Sequence, residues 1–206
     1  MARVLDKGGI LLAFIMGILI AIFGGLEYLA LMLFFFVLAM LVTRYEHETK
    51  RDMGIYEHER GWENVLSNGL LPTILAIASS FLGPIPYIAC VAAVTADKFG
   101  SELGVLDRGK PISLENLKPV KPGVSGAVTV MGTVASLAGA TVIGLGAFFI
   151  FDINATAALL IGLAGLAGSI VDSIFGIFEE KGWGTKGTTN FVCSITGAVL
   201  AFIFIK

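Results

Sequence analysis

The chain has 206 residues, 56% apolar and 15% charged, with a formal net charge of −2. That composition is too hydrophobic for a soluble domain of this length, and its balance lacks the basic excess that a nucleic acid or a polybasic lipid tether would need. Glycine supplies 26 residues and falls inside apolar runs, as in closely packed transmembrane helices, so the expectation is one all-α polytopic membrane domain over 1–206.

In chain order, Arg3 and Lys7 precede a first apolar run near 8–23, which lacks an A-x-A cleavage pattern and reads as an uncleaved span. Gly24-Gly25 turns it into a second run near 27–43, forming an N-terminal hairpin, 1–43, ahead of a core at 64–206. The hydrophilic loop between them repeats YEHE at Tyr45 and Tyr56, which reads as a charged cytoplasmic helix and leaves a metal role for the histidines open. Further runs near 64–83, 85–104, 125–150, 155–178 and 189–205 approach the length that ~30 Å of hydrocarbon requires, giving about seven spans. Cys90 and Cys193 lie far apart in apolar runs and read as small core residues.

Basic residues occupy alternate connections, thirteen of the fourteen falling on one side and Lys206 on the other. The positive-inside rule therefore orients the chain N-in and C-out.

That topology gives each polar motif a depth. Asp172, in GLAGLAGSIVDSIFGIF, lies about 10 Å inside span six at 1.5 Å per residue, with Gly168 and Gly176 on its own helical face. A carboxylate there is costly and marks a site, or else a hydrogen bond between helices. Asp97, Ser101 and Glu102 close the cytoplasmic end of span four; Ser125, Thr129, Thr133 and Ser136 line the mouth of span five. Glu179 and Glu180 follow Asp172 further out, Asn190 and Ser194 begin span seven, and Asn64 and Asn68 begin span three. Gly132, Ser136, Ala140 and Gly144 form a small-residue stripe that reads as a packing seam and leaves open a prenyl chain lying against it, and such faces also suit a homodimer.

Hard oxygen ligands on different helices, namely Asp97, Glu102 and Asp172, match Mg²⁺ held together with substrate phosphates. Asp97 and Glu102 are five residues apart and Lys98 can pair with Glu102 at i, i+4, so either the helix ends between the two carboxylates or one alone is a ligand. Lys118 and Lys121 before span five, and Lys186 before span seven, stand in glycine-containing turns that lead to helix N-termini, where phosphate is favoured. Each lysine alone also reads as a positive-inside charge, and no Walker A loop occurs.

The segments WENVLSNG, ADKFGSELG, PGVSGAVTVMGTVASLAG, GSIVDSIFG and TTNFVCS, in this order, resemble the integral-membrane family that includes the plant phytyl-phosphate kinase of tocopherol synthesis. The resemblance runs from about Asn64 to the C-terminus. It implies phosphoryl transfer from a nucleoside triphosphate, CTP or UTP, to a prenyl monophosphate such as phytyl or geranylgeranyl phosphate. By motif position Asp97, Ser101 and Glu102 match the family's Asp-x-x-x-Ser-Glu segment, Gly123 to Gly126 its glycine turn, Asp172 its Gly-Ser-x-x-Asp-Ser segment, and Asn190 its Asn before the last span. Lys98-Phe99 replaces the usual Thr-Trp pair and Ser125 stands where Asn or Asp is common, so the nucleotide base stays open.

The expected enzyme is thus a Mg²⁺-dependent phosphotransferase at the cytoplasmic leaflet of the plasma membrane. Asp97, Glu102 and Asp172 would act at the metal, with Asn68, Ser101, Lys118, Lys121, Ser125, Gly126, Thr129, Ser173, Lys186, Thr189 and Asn190 around the nucleotide and acceptor phosphates. A prenol kinase or a CTP-dependent lipid cytidylyltransferase would share nucleotide, metal and membrane. An ion-coupled transporter using Asp172 is an alternative of another class.

Overall fold

The computed structural model describes residues 5–54 and 61–205; Arg3, the second YEHE at Tyr56 and Lys206 lie outside them. Among the described residues the elements are α1 (Lys7–Phe23), α2 (Leu26–Arg44), α3 (His47–Asp52), α4 (Trp62–Ile77), α5 (Ser79–Leu82), α6 (Ile85–Gly104), β1 (Ile112–Ser113), β2 (Ala127–Val128), α7 (Val130–Ile150), α8 (Ala155–Glu180) and α9 (Lys186–Phe204). All seven apolar runs are helical. Four of the helices, α2, α7, α8 and α9, are long and apolar enough to cross a membrane. The count of seven clear spans does not hold on that measure. At 17 residues α1 is short, α4 has 16 with Pro72 inside, and α6 carries Asp97, Lys98 and Glu102 in its last turns.

The centre of the bundle is α6, whose residues Tyr87 to Asp97 are all buried. A helix apolar around its whole circumference belongs inside, and α6 meets α7, α8, α9, α2 and α4. Its partners reach it through small residues. A Cβ added to Gly168 of α8 would stand 2.7 Å from the Cys193 carbonyl oxygen and 2.8 Å from the Ala93 Cβ. One added to Gly197 of α9 would stand 2.7 Å from the Ala89 carbonyl oxygen. Lipid offers helices no hydrophobic reason to associate, so such close approach and its dispersion contacts hold them together. The stripe on α7 is a packing seam, as its pattern suggests: Ala140 and Gly144 are buried and Ser136 Oγ lies 3.1 Å from Ser169 Oγ of α8. Cys90 and Cys193 are free, buried core residues.

Residues between α6 and α7 fold back over one end of the bundle. β1 and β2 pair antiparallel, Ile112 opposite Val128. Thr129 caps α7 by accepting from the Gly132 N–H, and Asp107 accepts from the Met131 N–H at 3.0 Å. The Gly109 N–H, then that of Met131, holds the Asp107 carboxyl below its ordinary range. Helix α7 therefore starts five residues later than the apolar pattern suggests, at Val130.

Gly168→Leu is expected to destabilise the protein by about 3 kcal/mol, at the upper end of overpacking costs, because one of the two atoms it meets is backbone. Gly17→Ala, whose nearest neighbour would be 3.8 Å away, should change little. Thermal unfolding in detergent measures both, and equal stability of the two variants would contradict this packing.

Candidate functional site

A cavity of about 600 Å³ opens at the end of the bundle covered by the 105–129 segment, within the range of small-molecule sites. Helix α6 is unbroken through Gly104, so Asp97 and Glu102 point in different directions. Asp97 turns toward α8 and α9. There the Lys186 ammonium donates to Asp172 Oδ2 at 3.0 Å and lies 3.9 Å from Asp97 Oδ1. Ser101, one turn along, lies 3.4 Å from the same Asp97 oxygen. Asp172 is 4% exposed, whereas the Lys186 side chain keeps 47% of its exposure, so the ammonium stands at the boundary between the buried carboxylates and the open cavity.

Glu102 serves another cluster. Lys50 of α3 donates to Glu102 Oε2 at 2.9 Å, to the Val42 carbonyl at 3.0 Å and to the Thr43 carbonyl at 3.4 Å. Lys98 approaches Glu102 Oε1 at 2.5 Å, and the Thr43 hydroxyl donates to it at 2.9 Å. Lys50, 1% exposed, thus caps the C-terminal carbonyls of α2, where a cation suits the helix dipole, and ties them to α6. Glu102 lines the cavity, but its carboxylate is taken by two ammonium groups. That corrects the expected three-carboxylate metal site. Among the described residues no three acidic, histidine or cysteine side chains gather to hold a metal.

The glycine turn reaches the cavity as expected. Gly126 adopts φ +75° and its backbone touches α8 at Gly176, where an added Cβ would stand 2.5 Å from the Gly126 nitrogen. A left-handed conformation and this contact both require glycine. Glu180 Oε1 accepts from the Ser125 N–H at 2.8 Å and fixes the turn from the other side. Ser125, Gly126, Thr129, Ser173, Lys186, Asn190 and Asn68 all line the cavity beside Asp97, Ser101, Glu102 and Asp172.

Lys118, Lys121 and Thr189 do not. Lys118 sits in the hairpin turn, its carbonyl accepting from the Ser113 N–H, and both lysines are exposed. The intervening glycine turn and β2 separate Lys121 from the start of α7, so these lysines are corrected from phosphate ligands to surface charges. Thr189 is buried, donating to the Lys186 carbonyl. Conversely, Glu179, Lys50 and Thr43 line the cavity without having been assigned to it. Lys50 and Thr43 belong to segments that precede every resembling motif, and only their contact with Glu102 reveals them.

Among the described residues, three buried oxygens, Asp172 Oδ1, Glu179 Oε2 and Asn190 Oδ1, have no hydrogen-bond partner. Buried polar atoms are normally satisfied, and hard oxygens left over in one cavity suit a divalent cation or a donor-rich ligand.

The fold is therefore that of an all-α integral membrane protein with a charged cavity at one end of its bundle. The chain belongs to the family described as integral membrane protein DUF92, whose model matches residues 1–198 and so includes the N-terminal hairpin. It is 38% identical to an uncharacterized membrane protein of Methanocaldococcus jannaschii over 98% of this chain and 86% of that one. It is 32% identical to Protein PGR of Arabidopsis thaliana over 74% of this chain, spanning 64% of the plant protein. An uncharacterized membrane protein of Synechocystis is 29% identical over 92% of this chain and 78% of that one. No solved structure matches the chain.

The two carboxylate clusters predict different losses. Glu102→Gln leaves the buried Lys50 charge uncompensated and should cost about 3 kcal/mol of stability. Asp172→Asn should cost less, since Lys186 is half exposed and keeps Asp97. Denaturation of both variants in detergent measures this, and the reverse order would contradict the assignment.

Proposed function

We propose that the protein transfers a phosphoryl group from a nucleoside triphosphate, CTP or UTP, to an isoprenoid monophosphate such as phytyl or geranylgeranyl phosphate. The observation that carries the reading is Lys186, held between Asp97 and Asp172 at the wall of a cavity that also receives the Gly123–Gly126 turn. Carboxylates and an ammonium beside a glycine turn suit a triphosphate and its cation, and the family resemblance supplies the acceptor class.

In this reading the acceptor's phosphate oxygen bonds to the γ-phosphorus while the bond to the β–γ bridging oxygen breaks, releasing the nucleoside diphosphate. An ionised phosphate needs no strong general base, and no histidine lines the cavity among the described residues. Lys186 neutralises charge on the phosphates, the Gly123–Gly126 turn, anchored by Glu180, bounds the space they occupy, and Ser101 holds the Asp97 carboxylate. Mg²⁺ would be held by Asp97, Asp172 and Asn190, and would supply charge neutralisation on the triphosphate. Lys50, Lys98 and Thr43 keep Glu102 in its structural role.

The reading includes a seven-span, N-in and C-out arrangement in the plasma membrane with the cavity facing the cytoplasm, supported by the basic residues on alternate connections. Cysteines introduced into loop 105–121 should be protected from impermeant reagents in intact cells, and one at the exposed position 152, in the connection on the other side, reachable. Labelling of the loop from outside would overturn the orientation and the location of the site.

With Mg²⁺, CTP or another nucleoside triphosphate and geranylgeranyl or phytyl phosphate, the purified protein should form the prenyl diphosphate. It should use the free prenol at least about 10²-fold less well, because Lys186 and the polar groups of the cavity would lose the acceptor phosphate. Asp172→Asn should abolish Mg²⁺-dependent nucleotide binding. Better turnover of the free alcohol would transfer the reading to a prenol kinase, and a cytidylylated lipid product to a cytidylyltransferase. No nucleotide consumption, together with proton-coupled uptake into liposomes, would favour a transporter using Asp172.

A further inference from the structure

A second cavity, of about 220 Å³, lies between α1, α2, α4 and α6. Its walls are almost wholly apolar, with Met16 and Gly17 from α1, Met32 and Phe36 from α2 and Gly69 from α4. Asn64, Asn68 and Lys98 line both this cavity and the charged one, so the two adjoin at a polar neck. An apolar space that adjoins a charged cavity through such a neck has the form of an amphiphile: head on one side, hydrocarbon on the other. A buried 150 Å³ apolar cavity holds six carbons as benzene, so by proportion this one takes about nine, roughly two isoprene units of a single chain. That volume suits part of one chain rather than the paired chains of a phospholipid.

We infer that this cavity receives the first two isoprene units of a prenyl phosphate whose phosphate lies in the charged cavity, an inference that rests on the function proposed above. The N-terminal hairpin then has two duties. Its Thr43 meets Glu102 beside the head, and its apolar faces, α1 against α2, enclose the tail. Flexible methionines on both walls can adapt to an unsaturated branched chain. The remaining carbons would continue into the bilayer.

The test is photolabelling of the full chain in phosphatidylcholine nanodiscs, using geranylgeranyl monophosphate with a diazirine in its second isoprene unit. Adducts mapped by mass spectrometry should fall on α1 and α2 around Met16 and Met32. Excess geranylgeranyl phosphate should suppress them, and excess geranylgeraniol should not. Gly17→Leu fills open space, its nearest neighbour being 3.8 Å from the added Cβ, and should lower adduct yield about tenfold while nucleotide affinity stays unchanged. Ala13→Leu on the same wall provides a second variant should the first unfold. Adducts on the lipid-facing Leu145 and Phe149 of α7, or yields indifferent to both variants, would overturn the tail site even if diphosphate forms. Adducts in the cavity without any diphosphate formed would keep the tail site and reject the kinase reading.

Discussion

Glycine lets the backbones of α6, α8 and α9 touch, and the charged cavity depends on that approach. Gly168 lies against Ala93 and Cys193, one helical turn from Asp172 and Asp97, and Gly197 lies against Ala89 deeper in the bundle. With side chains at those points the helices would stand further apart. Lys186 Nζ could not then lie 3.0 Å from one carboxylate and 3.9 Å from another on a different helix. Small residues thus do more than pack the bundle; they bring ionisable groups close enough to share one space, which is what makes charge tolerable at this depth.

Charge in this bundle is divided between two tasks. Lys50 is fully enclosed, with donors directed to two carbonyls and Glu102, the arrangement of an anchor that joins the N-terminal hairpin to the central helix. Lys186 is half exposed between two carboxylates, and Asp172 beside it keeps one buried oxygen without a partner. A fully satisfied group resists change, whereas an ammonium at a cavity wall can exchange partners when a polyanion enters. The difference in satisfaction separates the structural carboxylate, Glu102, from the cavity pair, Asp97 and Asp172.

Hydropathy made the helices legible, since a long apolar run admits few other structures in lipid. It also placed Asp97, Ser101, Asp172, Lys186 and Asn190 at one end of the bundle, where the cavity gathers them. Their long-range pairing was not legible. Glu102 meets Lys98 at the i, i+4 spacing that the ADKFGSELG segment offers, but its second partner, Lys50, lies 52 residues away on α3 with nothing local to signal it. Asp172 lacks a basic neighbour within its own helix, and its partner Lys186 comes from the start of α9. The lysines at 118 and 121 lie within the β1–β2 connection, exposed and outside the cavity lining, and their nearness in sequence to α7 did not signal the hairpin that carries them. The apolar cavity escaped because it is a gap among side chains of four helices, each of which reads simply as apolar.

The central claim is that Asp97 and Asp172 hold a divalent cation together with a nucleotide. The most direct measurement is electron paramagnetic resonance of Mn²⁺, standing in for Mg²⁺, added to the purified protein with and without CTP. The account predicts one nucleotide-dependent Mn²⁺ site, coupled to phosphorus nuclei of the nucleotide and lost in Asp97→Asn. Manganese that binds equally without any nucleoside triphosphate tried, or that is unaffected by Asp97→Asn, would contradict it.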